Sequence, residues 1–222
     1  MRLKLAIQKS GRLHDDSMRL LKEAGIDIGN GVNKLKAEAT NFPIELFFLR
    51  DDDIPEYVQD GIADLGIVGE NVIIEAGADV AYLQPLGFGK CTLKIAVQST
   101  SNITELSQLN GKAIATSYPV ILQKYLSENN VDAQIRNISG SVEIGPGLGL
   151  SDAIFDIVST GGTLKNNGLK PFKNVMNSEA VLISTKGMEN NPEILELVQR
   201  IQSVLRAKAT KYVVLNVEKS KL

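Results

Sequence analysis

The chain has 222 residues, 43% of them hydrophobic and 23% charged, with a formal net charge of −2, ordinary values for a soluble globular protein. This balance gives no global reason to expect nucleic acid or an anionic membrane as partner, so any anion site has to be built locally. A single cysteine, Cys91, excludes a disulfide framework and a multi-cysteine metal site, and a single histidine, His14, leaves little basis for a histidine cluster or triad.

The N-terminal run MRLKLAIQKSGRL interleaves charge with apolar residues. It lacks the continuous apolar core of a signal peptide, and no later run approaches membrane-spanning length. The expected location is the cytoplasm.

The pattern is mixed α/β. LKLAIQ (3–8) predicts a strand, followed by a polar turn over Lys9–Arg12 and a helix through Asp16–Ala24 that stops near Gly25. PIELFFLR (43–50) predicts a second strand, and DDDIPEYVQDG a helix with acidic residues in its first turn. ADLGIVG (63–69) is nearly all apolar, as a buried parallel strand requires. CTLKIAVQ (91–98) and KAIATS (112–117) continue the strands, and Pro119 opens a helix running to about Asn129. AQIRNI (133–138) and AIFDIV (153–158) add two more. A long helix from about Pro192 to Lys208 precedes a final expected strand, YVVLNV (212–217). There is no internal repeat and no low-complexity linker.

The stretch DIVSTGGTLKNNGL (156–169) stands out. A tight strand-to-helix turn needs one or two glycines, but here Ser159, Thr160 and Thr163 surround Gly161 and Gly162. Backbone N–H groups of such a turn, the following helix start and three hydroxyls together suit a phosphate. Asp156, on the strand before the turn, is placed to accept from sugar hydroxyls. A simple Ser/Thr-capped turn satisfies the same pattern, and both readings stand at this point. GPGLGL (145–150) lacks dinucleotide-binding spacing and reads as a loop.

Other strand ends carry charge. In KSGR (9–12), Lys9 and Arg12 follow the first strand, where open α/β sheets place their ligand crevices; a solvated turn is the alternative. LRDDDIP (49–55) puts Arg50 beside three carboxylates, suited to clamping a leaving phosphate or to capping a surface helix. Tyr118 in SYP (117–119) stands at a helix mouth, able to face a base or to pack into the core. Glu143 in SVE (141–143) can reach a ribose or a metal, or simply face solvent.

Taken in order, QKSGRL, LRDDDIP, DLGIVGEN, KAIATSYP, GSVE and DIVSTGGTL resemble the ATP phosphoribosyltransferases, which catalyse the first step of histidine biosynthesis. The resemblance runs nearly end to end, and RDDDIP and ATSYP are closer to the long form of the enzyme than to the short form. It implies an α/β, two-lobed architecture of the type II periplasmic-binding-protein kind, with the ligand cleft between lobes. The implied lobes are 1–90 plus 185–222, and 91–184. The implied reaction joins N1 of ATP to C1 of 5-phosphoribosyl-1-pyrophosphate, releasing pyrophosphate, with Mg2+ held through substrate phosphates and no protein metal ligand assigned.

By resemblance, Ser159, Thr160, Gly161, Gly162 and Thr163 hold the 5′-phosphate, and Asp156 and Glu143 contact the ribose. Arg12 and Arg50 stabilise the departing pyrophosphate, while Lys9 and Tyr118 serve ATP. Adenine N1 already carries a lone pair, so the attack needs no deprotonating base; arginines, backbone donors and a metal ion suffice. The chain stops at NVEKSKL, about where the long form's regulatory domain would begin. The expectation is a homodimeric catalytic core that histidine does not inhibit, its regulatory domain or subunit being missing. The rival reading is a solute-binding module, since the same architecture captures small molecules without chemistry, although such receptors carry an export signal.

Overall fold

The computed structural model describes residues 2–29, 35–158 and 161–210. The strand expected over 212–217 and two members of the glycine loop, Ser159 and Thr160, lie outside the described residues.

Two sheets organise the molecule. The first has six strands in the order β2-β3-β1-β4-β11-β5, and the second five in the order β10-β6-β9-β7-β8. In the first, β1 (Leu3–Gln8) lies between β3 (Ile44–Leu49) and β4 (Leu65–Gly69), parallel to both. β2 (Lys36–Glu38) closes one edge antiparallel to β3. On the other side β11 (Ala180–Ser184) runs antiparallel to β4 and to β5 (Ala81–Pro85). β1 and β4 bury Leu5, Ala6, Ile7, Leu65, Ile67 and Val68 on both faces, which is why their sequences read as near-continuous apolar runs.

The second sheet pairs β9 (Ala153–Val158) and β8 (Gln134–Asn137) in parallel with β7 (Ala113–Thr116). β6 (Cys91–Gln98) is antiparallel to β9 and to the edge strand β10 (Leu169–Ser178). Each sheet has apolar clusters of its own, around Leu5, Ile44 and Leu182 in the first lobe and around Leu93, Ile114 and Phe155 in the second.

The chain crosses between lobes twice, at Lys90–Cys91 and at Ser178–Ala180. The second crossing corrects the expected boundary at 184/185, because β11 belongs to the first sheet. Residues 180–184 form a fully buried apolar strand that composition alone could not assign to either lobe.

The first helix, α1 (Arg12–Glu23), starts four residues before its expected position. Gly11 at φ 94° turns the chain, and its carbonyl accepts from the Asp15 N–H at 3.1 Å. Arg12 is therefore the first residue of a helix and not part of the preceding turn. α2 (Ile54–Gln59) follows a one-turn 3-10 helix over Asp51–Asp53, and α3 (Glu70–Ala76) leaves β4 directly. α4 (Pro119–Glu128) follows β7, the short α5 (Gly162–Asn166) follows the glycine loop, and α6 (Pro192–Ala209) packs on the first lobe. Asn191 caps α6, its side chain accepting from the N–H groups of Glu193 and Ile194.

Candidate active site

In both lobes the parallel strands deliver their carboxyl ends to loops that carry the charged residues, the position at which open α/β sheets bind ligands. In the first lobe the Lys9 N–H donates to the Leu49 carbonyl at 2.7 Å. That bond sets the KSGR turn directly beside Arg50. The turn is buttressed by His14, whose Nδ1 lies 2.8 Å from the Gln8 carbonyl and whose ring leans on Phe48 at 5.5 Å. Arg50 begins the turn of three aspartates, its carbonyl accepting from the Asp53 N–H at 3.2 Å. Beneath that turn, Ile54, Val58, Val68 and Val72 anchor it in a compact apolar cluster. Lys9, Arg12 and Arg50 are all exposed.

In the second lobe Tyr118 occupies the N-cap position of α4. Its N–H donates to Thr116 Oγ1 at 2.8 Å, and Ser117 Oγ donates to the Ile138 carbonyl at 2.7 Å. Ser117 Oγ also accepts from the Gly140 N–H at 3.3 Å, so it pins the loop after β8 against the loop after β7. Glu143 lies on a one-turn 3-10 helix, Val142–Ile144, preceded by Ser141 in a left-handed conformation at φ 49°. Asp156 sits on β9, with Lys94 directly opposite it on β6. Opposed residues of an antiparallel pair share a sheet face. Sequence reading passed over Lys94, a cation placed on the same face as the candidate ribose carboxylate.

The glycine loop returns at Gly161, whose φ of 76° a side chain would strain, and its carbonyl accepts from the Lys165 N–H at 3.1 Å. Gly162 and Thr163 are exposed at the start of α5. Leu164 is buried in a cluster with Val142, Val158 and Leu169. The apolar roots of the Glu143 turn, of the end of β9 and of α5 therefore belong to one small core.

The lobes meet at Tyr118. Burial, followed by the charges of Asp156, Asp51 and Asp52, pushes its phenol well above the usual range. Tyr118 thus lies within electrostatic reach of the aspartate turn in one lobe and of the strand carboxylate in the other. It also packs against the second lobe's core, the alternative that its sequence position left open. Burial and the Glu143 carboxylate raise Asp156 above its ordinary value, opposed by the Ile157 N–H, which donates to Asp156 Oδ1 at 2.7 Å. Partial desolvation and repulsion from Asp51 and Asp53 raise Asp52, with Arg50 opposing. The charges of Asp156, Asp51 and Asp52 thus all act on Tyr118, while Lys9, Arg12 and Arg50 are exposed.

Residues 50–203 match the family described as ATP phosphoribosyltransferase. An ATP phosphoribosyltransferase of Cytophaga hutchinsonii is 53% identical over 217 residues, covering 97% of this chain and 76% of the relative. The chain belongs to the ATP phosphoribosyltransferase family. Its activity is the family's transfer of a phosphoribosyl group from 5-phosphoribosyl-1-pyrophosphate to ATP, the first step of histidine biosynthesis. A chain of the ATP phosphoribosyl transferase (HisG:HisZ) complex from Thermotoga maritima superposes with a TM-score of 0.80 at 28% identity, covering 92% of this chain and 99% of that one. The substrate-binding protein of an amino acid ABC transporter shares the fold alone, with a TM-score of 0.62 at 13% identity over 94% of this chain and 95% of that one. The fold class is thus the two-lobed, type II periplasmic-binding-protein architecture. Among the described residues no helix is long and apolar enough to cross a membrane.

Proposed function

We propose that the transfer takes place between the carboxyl ends of the two sheets, with the loop around Gly161 and Gly162 receiving the 5′-phosphate of the phosphoribosyl donor. The observation that carries this assignment is the shared apolar root of that loop and the Glu143 turn, with Asp156 on the strand between them. That shared footing supports a phosphate site at the start of α5 beside the ribose-binding carboxylates. Thr163 adds a hydroxyl, and Ser159 and Thr160 complete the donor set by their place in the loop sequence. Asp156 and Glu143 accept from the ribose hydroxyls.

Arg50 and Arg12, at the starts of the aspartate turn and of α1 in the first lobe, offset the charge that builds on pyrophosphate as the C1–O bond breaks. Lys9 and Tyr118 orient ATP, the Tyr118 ring offering a face to adenine. The nucleophile is the N1 lone pair, and no proton has to be removed before attack.

The crowded carboxylates would repel two polyphosphate substrates unless a cation intervened. This donor set suits Mg2+, which binds through one or two carboxylates together with substrate phosphates. Asp156 and Glu143 are near enough for one charge to raise the other, and they are the residues that would hold such an ion. When bound, the ion supplies charge neutralisation at the pyrophosphate oxygens. The assembly proposed is a homodimer. The similarity to a chain of the Thermotoga maritima complex makes a regulatory partner subunit the second component to supply.

Calorimetric titration with 5-phosphoribosyl-1-pyrophosphate and Mg2+ tests the site. Wild type binds, and Asp156→Ala or replacement of Gly161 by valine weakens binding at least tenfold. Unaltered affinity in both variants would move the phosphoribosyl site elsewhere.

A further inference from the structure

Glu75, on the last turn of α3, reaches out of the first lobe into the second. Its Oε1 accepts from the backbone N–H of Val120 at 2.9 Å, and its Oε2 from that of Ile121 at 3.0 Å. These are the first free donors of α4 after Pro119, and α4 receives no capping bond from the side chain of its own N-cap residue, Tyr118. A helix start ordinarily satisfies such donors with a local Ser, Thr, Asp or Asn. Here a carboxylate supplied by the other lobe does so, and its charge complements the positive end of the helix.

The opposite end of α3 is also fixed. The Asn71 N–H donates to Ser178 Oγ at 3.1 Å, and Ser178 Oγ donates to Asn71 Oδ1 at 2.8 Å. Ser178 ends β10, where the chain passes from the second lobe to the first. α3 is therefore a strut running from the crossing strands to the mouth of α4, and Tyr118 lies two residues before the first amide that Glu75 holds.

We propose that Glu75 is an inter-lobe positioning residue, a latch that caps α4 from the facing lobe and so fixes the cleft opening and the placement of Tyr118 at the start of that helix. The bond pair ties the two lobes together at this spacing. An opened cleft leaves two amides and a carboxylate to water, so the latch favours the closed arrangement. Substrates bind a closed fraction that Glu75 keeps large.

The proposal rests on the cleft being the active site, and its test separates the two. Glu75→Ala removes both acceptors and shrinks the closed fraction, so KM for both substrates rises about tenfold while kcat stays within about twofold. Glu75→Gln keeps one acceptor oxygen and falls between. A merely structural role would do the reverse, lowering kcat through loss of active molecules and leaving KM unchanged. In small-angle scattering without substrates, Glu75→Ala has a larger radius of gyration than wild type, and saturating ATP with 5-phosphoribosyl-1-pyrophosphate closes the difference. Unchanged KM in both variants, or equal radii without substrate, overturns the latch. If the alanine variant fails to fold, Glu75→Gln carries the same comparison. A wild type that binds neither substrate defeats the reading of the cleft, while scattering still decides the latch.

Discussion

Ser178 and Asn71 are 107 residues apart in sequence, yet they exchange two hydrogen bonds where the chain crosses between lobes. Both are buried, at 5% and 3% exposure. Removing one partner of a buried pair strands the other, which costs about 1–3 kcal/mol. Ser178→Ala should lower unfolding free energy by that amount in urea denaturation, and Asn71→Ala with Ser178→Ala together should cost less than the sum of the two. Full additivity would show that the two residues act independently.

Gly66 makes a different demand. A Cβ at this second position of β4 would lie 2.8 Å from Ile54 Cγ2, 3.0 Å from Val58 Cγ2 and 3.2 Å from Ile183 Cγ1. Overpacking of this kind costs about 1–3 kcal/mol. Those contacts support the helix that follows the aspartate turn. Gly66→Ala should therefore lower the melting temperature and weaken ATP turnover together, as thermal scans and assays on one preparation would show.

Asp156 couples stability to pH. Burial holds its carboxyl above the ordinary value of 3.8, so ionisation opposes folding. The penalty is fully present above the raised value, diminishes as pH falls through it, and is gone below the ordinary value. Asp156→Asn should thus melt at a higher temperature than wild type at about pH 7.5, the gap closing toward about pH 4, while phosphoribosyl transfer falls. An equal gap at both pH values would contradict the assignment of burial as the cause.

Arg50 separates binding from turnover. If its guanidinium meets charge only as pyrophosphate departs, Arg50→Ala lowers kcat by about a hundredfold and leaves substrate affinity nearly intact. Equal losses in kcat and affinity would reduce it to a binding residue. Steady-state kinetics beside calorimetry distinguishes these outcomes.

Much of this arrangement is legible in sequence wherever the signal is local. β1, β4 and β9 are short apolar runs bounded by turn residues, and burial on both faces explains why. β10 escaped notice because Pro171 and alternating polar residues blur its pattern; the structure places it at an edge, with register shifts beside Pro171 and Asn174, where proline is tolerated. The lobe membership of β11 depends on pairing with β4 and β5, which composition does not encode. Lys9 and Arg50 are identifiable as charges at strand ends, Glu143 as a loop carboxylate and Asp156 as a carboxylate on the strand before the glycine turn. Glu75 was not, because the amides it caps lie 45 and 46 residues away and no local motif announces a cap supplied from another lobe.

The most direct test of the central claim is an ultraviolet assay of the purified protein with ATP, 5-phosphoribosyl-1-pyrophosphate and Mg2+, with inorganic pyrophosphatase drawing the reaction forward. Absorbance should rise only when both substrates and the metal ion are present. A flat trace from folded protein, both alone and with the second component of the Thermotoga maritima complex, would contradict the account.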